Sequence, residues 1–141
     1  MATRYFALVV GVIYLLAAAW GFVPGLLAPM PPDAPPLSID TLQGRVMGLF
    51  PVNILHSLVH LAIGVWGVIA WRSFGASRAY ARGLAVIYGV LGLMGLIPGM
   101  HTMFGLAPLY GHDVWLHWGT AAVAAYFGWF AHRTAGAKAS A

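Results

Sequence analysis

The chain contains no cysteine and no glutamate, and charge of either sign is scarce, with seven Lys or Arg and three Asp among 141 residues. The missing thiols exclude disulfide stapling, thiolate metal centres and cysteine nucleophiles. The missing glutamate excludes a glutamate pair as general acid and base. Charged residues make up 7%, where soluble domains carry roughly 25%. Hydrophobic residues make up 61% and the mean hydropathy is +0.83. That leaves too little polar surface to cover a water-facing globule, so the natural solvent is a bilayer. A net charge of +4 does not point to nucleic acid, because the basic residues sit in short segments between apolar runs instead of forming a stripe. What the chain does offer is six histidines.

Four stretches approach the roughly 20 apolar residues that a helix needs to cross a bilayer: Tyr5 to Leu27, Leu49 to Trp71, Tyr80 to Met100 and Pro108 to Phe130. A signal peptide over the first, with Arg4 ahead of it and small residues at Ala17 to Ala19, is the weaker reading, because the run stays apolar well past Ala19. Residues 28–44 form the one polar, proline-rich segment, with Pro29, Pro31, Pro32, Pro35 and Pro36 around Asp33. Such spacing forbids a helix and favours an extended connector. It is either a stiff link lying on the membrane surface or a docking loop. Arg4, Arg72, Arg78, Arg82, Arg133 and Lys138 fall on the side shared by both termini, and only Arg45 falls on the other. By the positive-inside rule both termini are cytoplasmic and the proline-rich loop faces outward. Tyr5, Trp71, Tyr80, Trp129 and Phe130 then sit at the cytoplasmic interface, where aromatic rings concentrate.

The sequence also repeats. At an offset of 74, Arg4 aligns with Arg78, Val12-Ile13-Tyr14 with Val86-Ile87-Tyr88, Gly21 with Gly95 and Pro24-Gly25 with Pro98-Gly99; at 57, Leu49 aligns with Leu106, Pro51 with Pro108, Leu58 with Trp115 and His60 with His117, while His56 meets Asp113. Two copies of a helical hairpin, residues 4–72 and 78–133, are expected in the same orientation about a pseudo-twofold along the membrane normal, with the proline-rich loop as an insertion in the first copy. The expected fold is thus all-α, a polytopic four-helix membrane bundle of two tandem transmembrane hairpins in one domain spanning residues 1–141. Proline and glycine should stop the first and third helices at Gly-Phe-Val-Pro-Gly and Gly-Leu-Ile-Pro-Gly. Gly89, Gly92, Gly95 and Gly99 form a small-residue stripe suited to close helix packing.

Asn53, His56, Ser57 and His60 recur at helical spacing on one face of the second run, and Tyr110, Asp113, His117 and Thr120 do nearly the same on the fourth. Counted from Leu49, His60 lies about 16 Å into its helix, close to the midplane. Ionisable groups at that depth should face the bundle interior and one another. Several readings stay open. The stripe is structural, hydrogen-bonding across helices; or His56, His60, Asp113 and His117 bind a divalent metal such as zinc, copper or iron; or His60 and His117 ligate a haem or another tetrapyrrole; or the stripe passes protons or small solutes. His101 and His112 belong to the outer loop, and His132 to the cytoplasmic interface. No catalytic set is expected, since Ser57 lacks any nucleophile-elbow motif.

The run Gly48-Leu49-Phe50-Pro51-Val52-Asn53-Ile54-Leu55-His56-Ser57-Leu58-Val59-His60-Leu61, then Gly64, Val65, Gly67 and Asp113-Val114-Trp115-Leu116-His117, resembles the uncharacterised bacterial membrane family catalogued as domain of unknown function 4383. The resemblance covers nearly the whole chain. It implies four membrane helices and a bacterial cytoplasmic membrane location, and it implies no activity. Ser57 and Val114 stand where that family tends to have asparagine. The expected function is a non-enzymatic membrane module whose His/Asp cluster is structural or metal-binding. The alternative is an accessory subunit of a larger membrane complex that ligates haem or another tetrapyrrole through His60 and His117; the expected partners are the lipid bilayer and a larger membrane complex or a second copy of the chain.

Overall fold

A computed structural model describes residues 1–131. His132, Arg133 and Lys138 lie outside the described residues, as does the end of the second expected repeat. Four helices carry the fold: α1 (Ala2–Gly21), α2 (Ile54–Ala70), α3 (Phe74–Leu96) and α4 (His112–Ala125). A π-helical turn at Tyr126–Phe130 continues α4 without a break. α1 packs chiefly on α2 and α3 chiefly on α4, and the two pairs meet largely along α1 and α3. α1 and α3 are each long and apolar enough to cross a membrane, while α2 is equally apolar but only 17 residues long.

α1 stops at Gly21 and α3 at Leu96, each just ahead of the proline-glycine pair that was expected to end it. The other boundaries differ from the apolar runs. α2 starts at Ile54 and not Leu49, because Phe50–Val52 is a strand, β2, paired antiparallel with β1 (Gly44–Val46). Pro51 sits in β2, where its missing N–H is tolerated because a two-stranded ribbon is all edge. α4 likewise starts at His112, past Pro108. Since Pro51 has no backbone donor and Asn53 is a strong cap, the chain enters α2 through a strand and a capped turn. The fold is therefore helical with one small hairpin, which the all-α expectation lacked. His60 is the seventh residue of α2, about 9 Å from its start and not at its centre.

The proline-rich segment contains no helix. Ala28 and Arg45 exchange backbone hydrogen bonds at 3.0 and 2.8 Å, and the Ser38 N–H donates to the Gly105 carbonyl at 2.8 Å, so the segment lies against the α3–α4 connection.

The buried residues include many small, aromatic or polar ones, Ala7, Ala81, Tyr80, Tyr88 and Ala124 in the core with Thr3, Ser57 and Ser77 among them, beside a few aliphatic ones such as Ile63 and Leu84. The large aliphatic side chains point outward, among them Ile13, Leu16, Val65, Ile69, Val86 and Leu93. α1 and α2 approach backbone to backbone at Gly11, Gly64 and Gly67; a Cβ on Gly67 would meet the Ala7 carbonyl oxygen and the Gly11 Cα, each at 2.8 Å. Of the expected glycine stripe, Gly92 and Gly95 take part in the approach to α4, meeting Trp118 and Leu109, while Gly89 and Gly99 face open space.

The arginine-rich end is tied by side chains that take up helix-terminal carbonyls. Arg4 Nε donates to the Trp71 carbonyl at 2.7 Å, and Arg82 and Arg78 Nε donate to that of Gly128 at 3.0 and 3.4 Å. Thr3 Oγ1 donates to the Phe127 carbonyl at 3.4 Å and Ser77 Oγ to that of Ala70 at 2.9 Å. Arg4 also lies over the Trp71 ring and Arg82 over Trp129.

Candidate metal centre

Asn53 opens the site. Fully buried, it caps α2: its Oδ1 accepts from the His56 backbone N–H at 3.0 Å, and its Nδ2 donates to the carbonyls of Ile39 at 2.8 Å and Leu106 at 2.7 Å. One side chain thus fixes the first turn of α2, the proline-rich segment and the α3–α4 connection together. It also sets His56 on the inner face of that turn.

Asp113 occupies the first turn of α4, a position that favours negative charge through the helix dipole. It is 2% exposed, yet Oδ2 has no hydrogen-bond partner. His56 Nδ1 lies 3.9 Å away, too far for a hydrogen bond. His117, one turn further along α4, completes a buried trio in which one ligating atom from each residue lies within 4.8 Å of the others. The Nδ1 atoms of His56 and His117 are buried and also unpartnered. The backbone carbonyl of Pro108 lies against His56 as an acceptor. Hydrogen bonds across the helices, the structural role expected of the stripe, are not formed among these atoms.

His60 lies beside the trio, its ring 4.4 Å from that of His56, and is not one of the three. It packs on Tyr14 at 5.1 Å and 59°, just as His117 packs on Tyr88 at 5.1 Å and 56°. Tyr14 and Tyr88 in turn meet at 5.7 Å, and the Tyr14 oxygen accepts hydrogen bonds from the Tyr88 and Thr120 hydroxyls. Beside the trio, bordered by His56, His117, His60, Tyr88 and the α3–α4 connection but not by Asp113, lies a chamber of about 50 Å³.

The remaining stripe residues have other surroundings. Ser57 is buried against Gly21 and its hydroxyl finds no partner. Tyr110, in the loop before α4, lines an outer pocket with Asp33, Arg45 and His112. Burial, and then the Asp113 carboxylate, raise the Tyr110 hydroxyl above its ordinary range, so it remains a proton donor at neutral pH. His101 lies in the same outer connection, edge-on to Tyr110 at 6.0 Å. The sequence reading missed the two tyrosines that back the histidines, although the Val-Ile-Tyr repeat had marked both.

No curated protein and no solved structure matches this chain. A family model matches residues 4–130, nearly all of the described chain, and on that match the chain belongs to the family described as Domain of unknown function (DUF4383).

Proposed function

We propose that the chain is a four-span integral membrane protein of two tandem hairpins whose buried His56, Asp113 and His117 bind one divalent transition-metal ion near the outer end of α2 and α4. The single observation that carries the metal is the convergence of three buried side chains, one ligating atom of each lying within 4.8 Å of the others, on residues whose His56 Nδ1, Asp113 Oδ2 and His117 Nδ1 have no hydrogen-bond partner. Buried polar atoms are normally satisfied, and each orphan costs about 1–3 kcal/mol. A cation satisfies all three at once and neutralises the carboxylate. Two imidazoles and a carboxylate suit zinc, iron or copper. Ligand bonds of about 2.0–2.2 Å in a tetrahedral shell place ligand atoms about 3.4 Å apart, so binding draws the three side chains, now within 4.8 Å of one another, inward by about 1 Å. The Pro108 carbonyl is the outer acceptor that metal-bound imidazoles usually have. The chamber's size favours an ion over a tetrapyrrole held between His60 and His117.

The membrane reading is supported by the many large aliphatic side chains that face outward, while small and polar groups make up much of the interior. α4 and its π turn add 14 and 5 residues, about 28 Å in all. Arg4, Arg72, Arg78 and Arg82 lie at one end of the bundle, with no acidic residue there among those described, which orients that end and both termini to the cytoplasm.

The repeat is supported by contacts that recur at the two offsets. Arg4 to Trp71 corresponds to Arg78 to Gly128. Gly21 against Ser57 corresponds to Gly95 against Val114. Thr3 reaches Phe127 in the other hairpin and Ser77 reaches Ala70 in return, as a twofold requires. His56 and Asp113 occupy equivalent places, so the duplication supplies a nitrogen from one copy and an oxygen from the other.

Elemental analysis of detergent-purified protein from metal-replete cells tests the proposal. The expected result is about one zinc, iron or copper per chain, falling below 0.1 in His117→Ala and in Asp113→Asn. Wild-type protein that neither retains nor takes up a divalent ion refutes it.

A further inference from the structure

The bundle has a second cavity, on the other side of His60. Between α1 and α4 lies a cleft of about 420 Å³, lined by apolar side chains except for His60, Tyr14 and Thr120. His60 is the one residue that borders both this cleft and the small chamber beside His56 and His117. Its Nδ1 is buried and has no partner. The mouth is flanked by exposed Ile13, Trp115 and Val123, so in a bilayer the cleft opens sideways into lipid and not to water.

That combination fits a particular ligand chemistry. Volume and lining fall within the range of small-molecule sites, where a largely apolar wall carries a few orienting polar groups. A charged head group is disfavoured, because no Lys, Arg, Asp or Glu lines the cleft and an unpaired charge there is costly. A purely apolar occupant would forgo the hydrogen bonds that His60, Tyr14 and Thr120 place in the lining. Neutral imidazole offers one donor and one acceptor and therefore serves an uncharged oxygen.

We propose that the α1–α4 cleft binds a lipid-soluble molecule with an uncharged oxygen head group, a quinone-type carbonyl or an alcohol, its head hydrogen-bonded to His60 and its apolar tail leaving between Ile13 and Val123. This inference rests on the membrane reading; His60 stands outside the trio, although its ring lies 4.4 Å from that of His56.

Native mass spectrometry of the full detergent-solubilised chain tests it with four probes of matched tail: decyl-benzoquinone, decanol, decylbenzene and decanoate. The expected result is a saturating one-to-one adduct with the quinone or the alcohol, the stronger of the two identifying the head group. Decylbenzene should bind at least tenfold more weakly and decanoate not at all. His60→Leu should lose about tenfold of the head-group preference, and His60→Gln, which keeps a donor and an acceptor, should recover most of it. Gly119→Leu fills the cleft at a position where an added Cβ meets nothing within 4 Å; it should fold as well as wild type, retain its metal and lose binding. Equal binding of decylbenzene, preference for decanoate, unchanged binding in Gly119→Leu, or a stable dimer that excludes every probe overturns the proposal. Reporter fusions showing that the chain does not cross the membrane would instead remove the reading on which it rests, whatever the probes do.

Discussion

Asn53→Ala is the substitution whose cost can be worked most fully from the structure. The side chain is fully buried and makes three hydrogen bonds, one to the His56 backbone N–H and two to the carbonyls of Ile39 and Leu106. Loss of the helix cap costs about 1 kcal/mol. The two carbonyls lose a shared donor at about 1 kcal/mol each, more where water does not replace it. The total is about 3 kcal/mol, which at the entropy of a domain this size lowers the melting temperature by about 10 °C. Asn53→Asp separates the two roles: its carboxylate still accepts from the His56 N–H but presents oxygen to two carbonyl oxygens. It should therefore be no more stable than Asn53→Ala, although it restores the cap. Thermal unfolding in a mild detergent reads the stability, and limited proteolysis of the proline-rich segment reads the loss of its anchor. A melting temperature for Asn53→Asp within 2 °C of wild type would show that the Ile39 and Leu106 bonds contribute nothing, and would refute the view of Asn53 as the clamp that sets His56.

Other substitutions probe packing and orientation. Gly67→Ala should destabilise the α1–α2 pair by more than 2 kcal/mol, because its Cβ meets backbone atoms at 2.8 Å; Gly89→Ala, with open space around it, should be neutral or gain up to about 1 kcal/mol from helix propensity. Equal melting temperatures for the two would contradict the close approach. Ser77→Ala, losing a fully buried bond of 2.9 Å, should cost about 1 kcal/mol, and Thr3→Val, losing one of 3.4 Å, less than half of that; unfolding in detergent ranks them. Reporter fusions to the C-terminus and to the proline-rich segment should report the cytoplasmic and outer sides respectively, and an outer C-terminus contradicts the orientation.

The helical content and the stops at Gly21 and Leu96 were legible because each rests on local chemistry: apolar runs and proline-glycine breaks. The hairpin of β1 and β2 was not, since Leu49 to Val52 reads as a continuation of the apolar run that follows. The signals were nonetheless present, in Pro51, which cannot donate inside a helix, and in Asn53, a preferred cap. With α2 starting at Ile54, His60 is its seventh residue. Spacing put four groups on two faces. Which three of them converge depends on the rotation of α2 against α4, which packing decides and sequence period does not. Gly64 and Gly67 carried a small-residue spacing that marked the α1–α2 approach more directly than the glycines of α3. The π turn at Tyr126–Phe130 had no counterpart in the sequence pattern.

X-ray absorption at the edge of the metal found in the purified protein tests the central claim most directly, because it reads the ligand set itself. Coordination by His56, Asp113 and His117 predicts a shell of nitrogen and oxygen at about 2.0–2.2 Å with the multiple scattering of two imidazoles, falling to one in His117→Ala loaded with excess ion. A shell of oxygen alone, or one that His117→Ala and Asp113→Asn leave unchanged, would contradict the account.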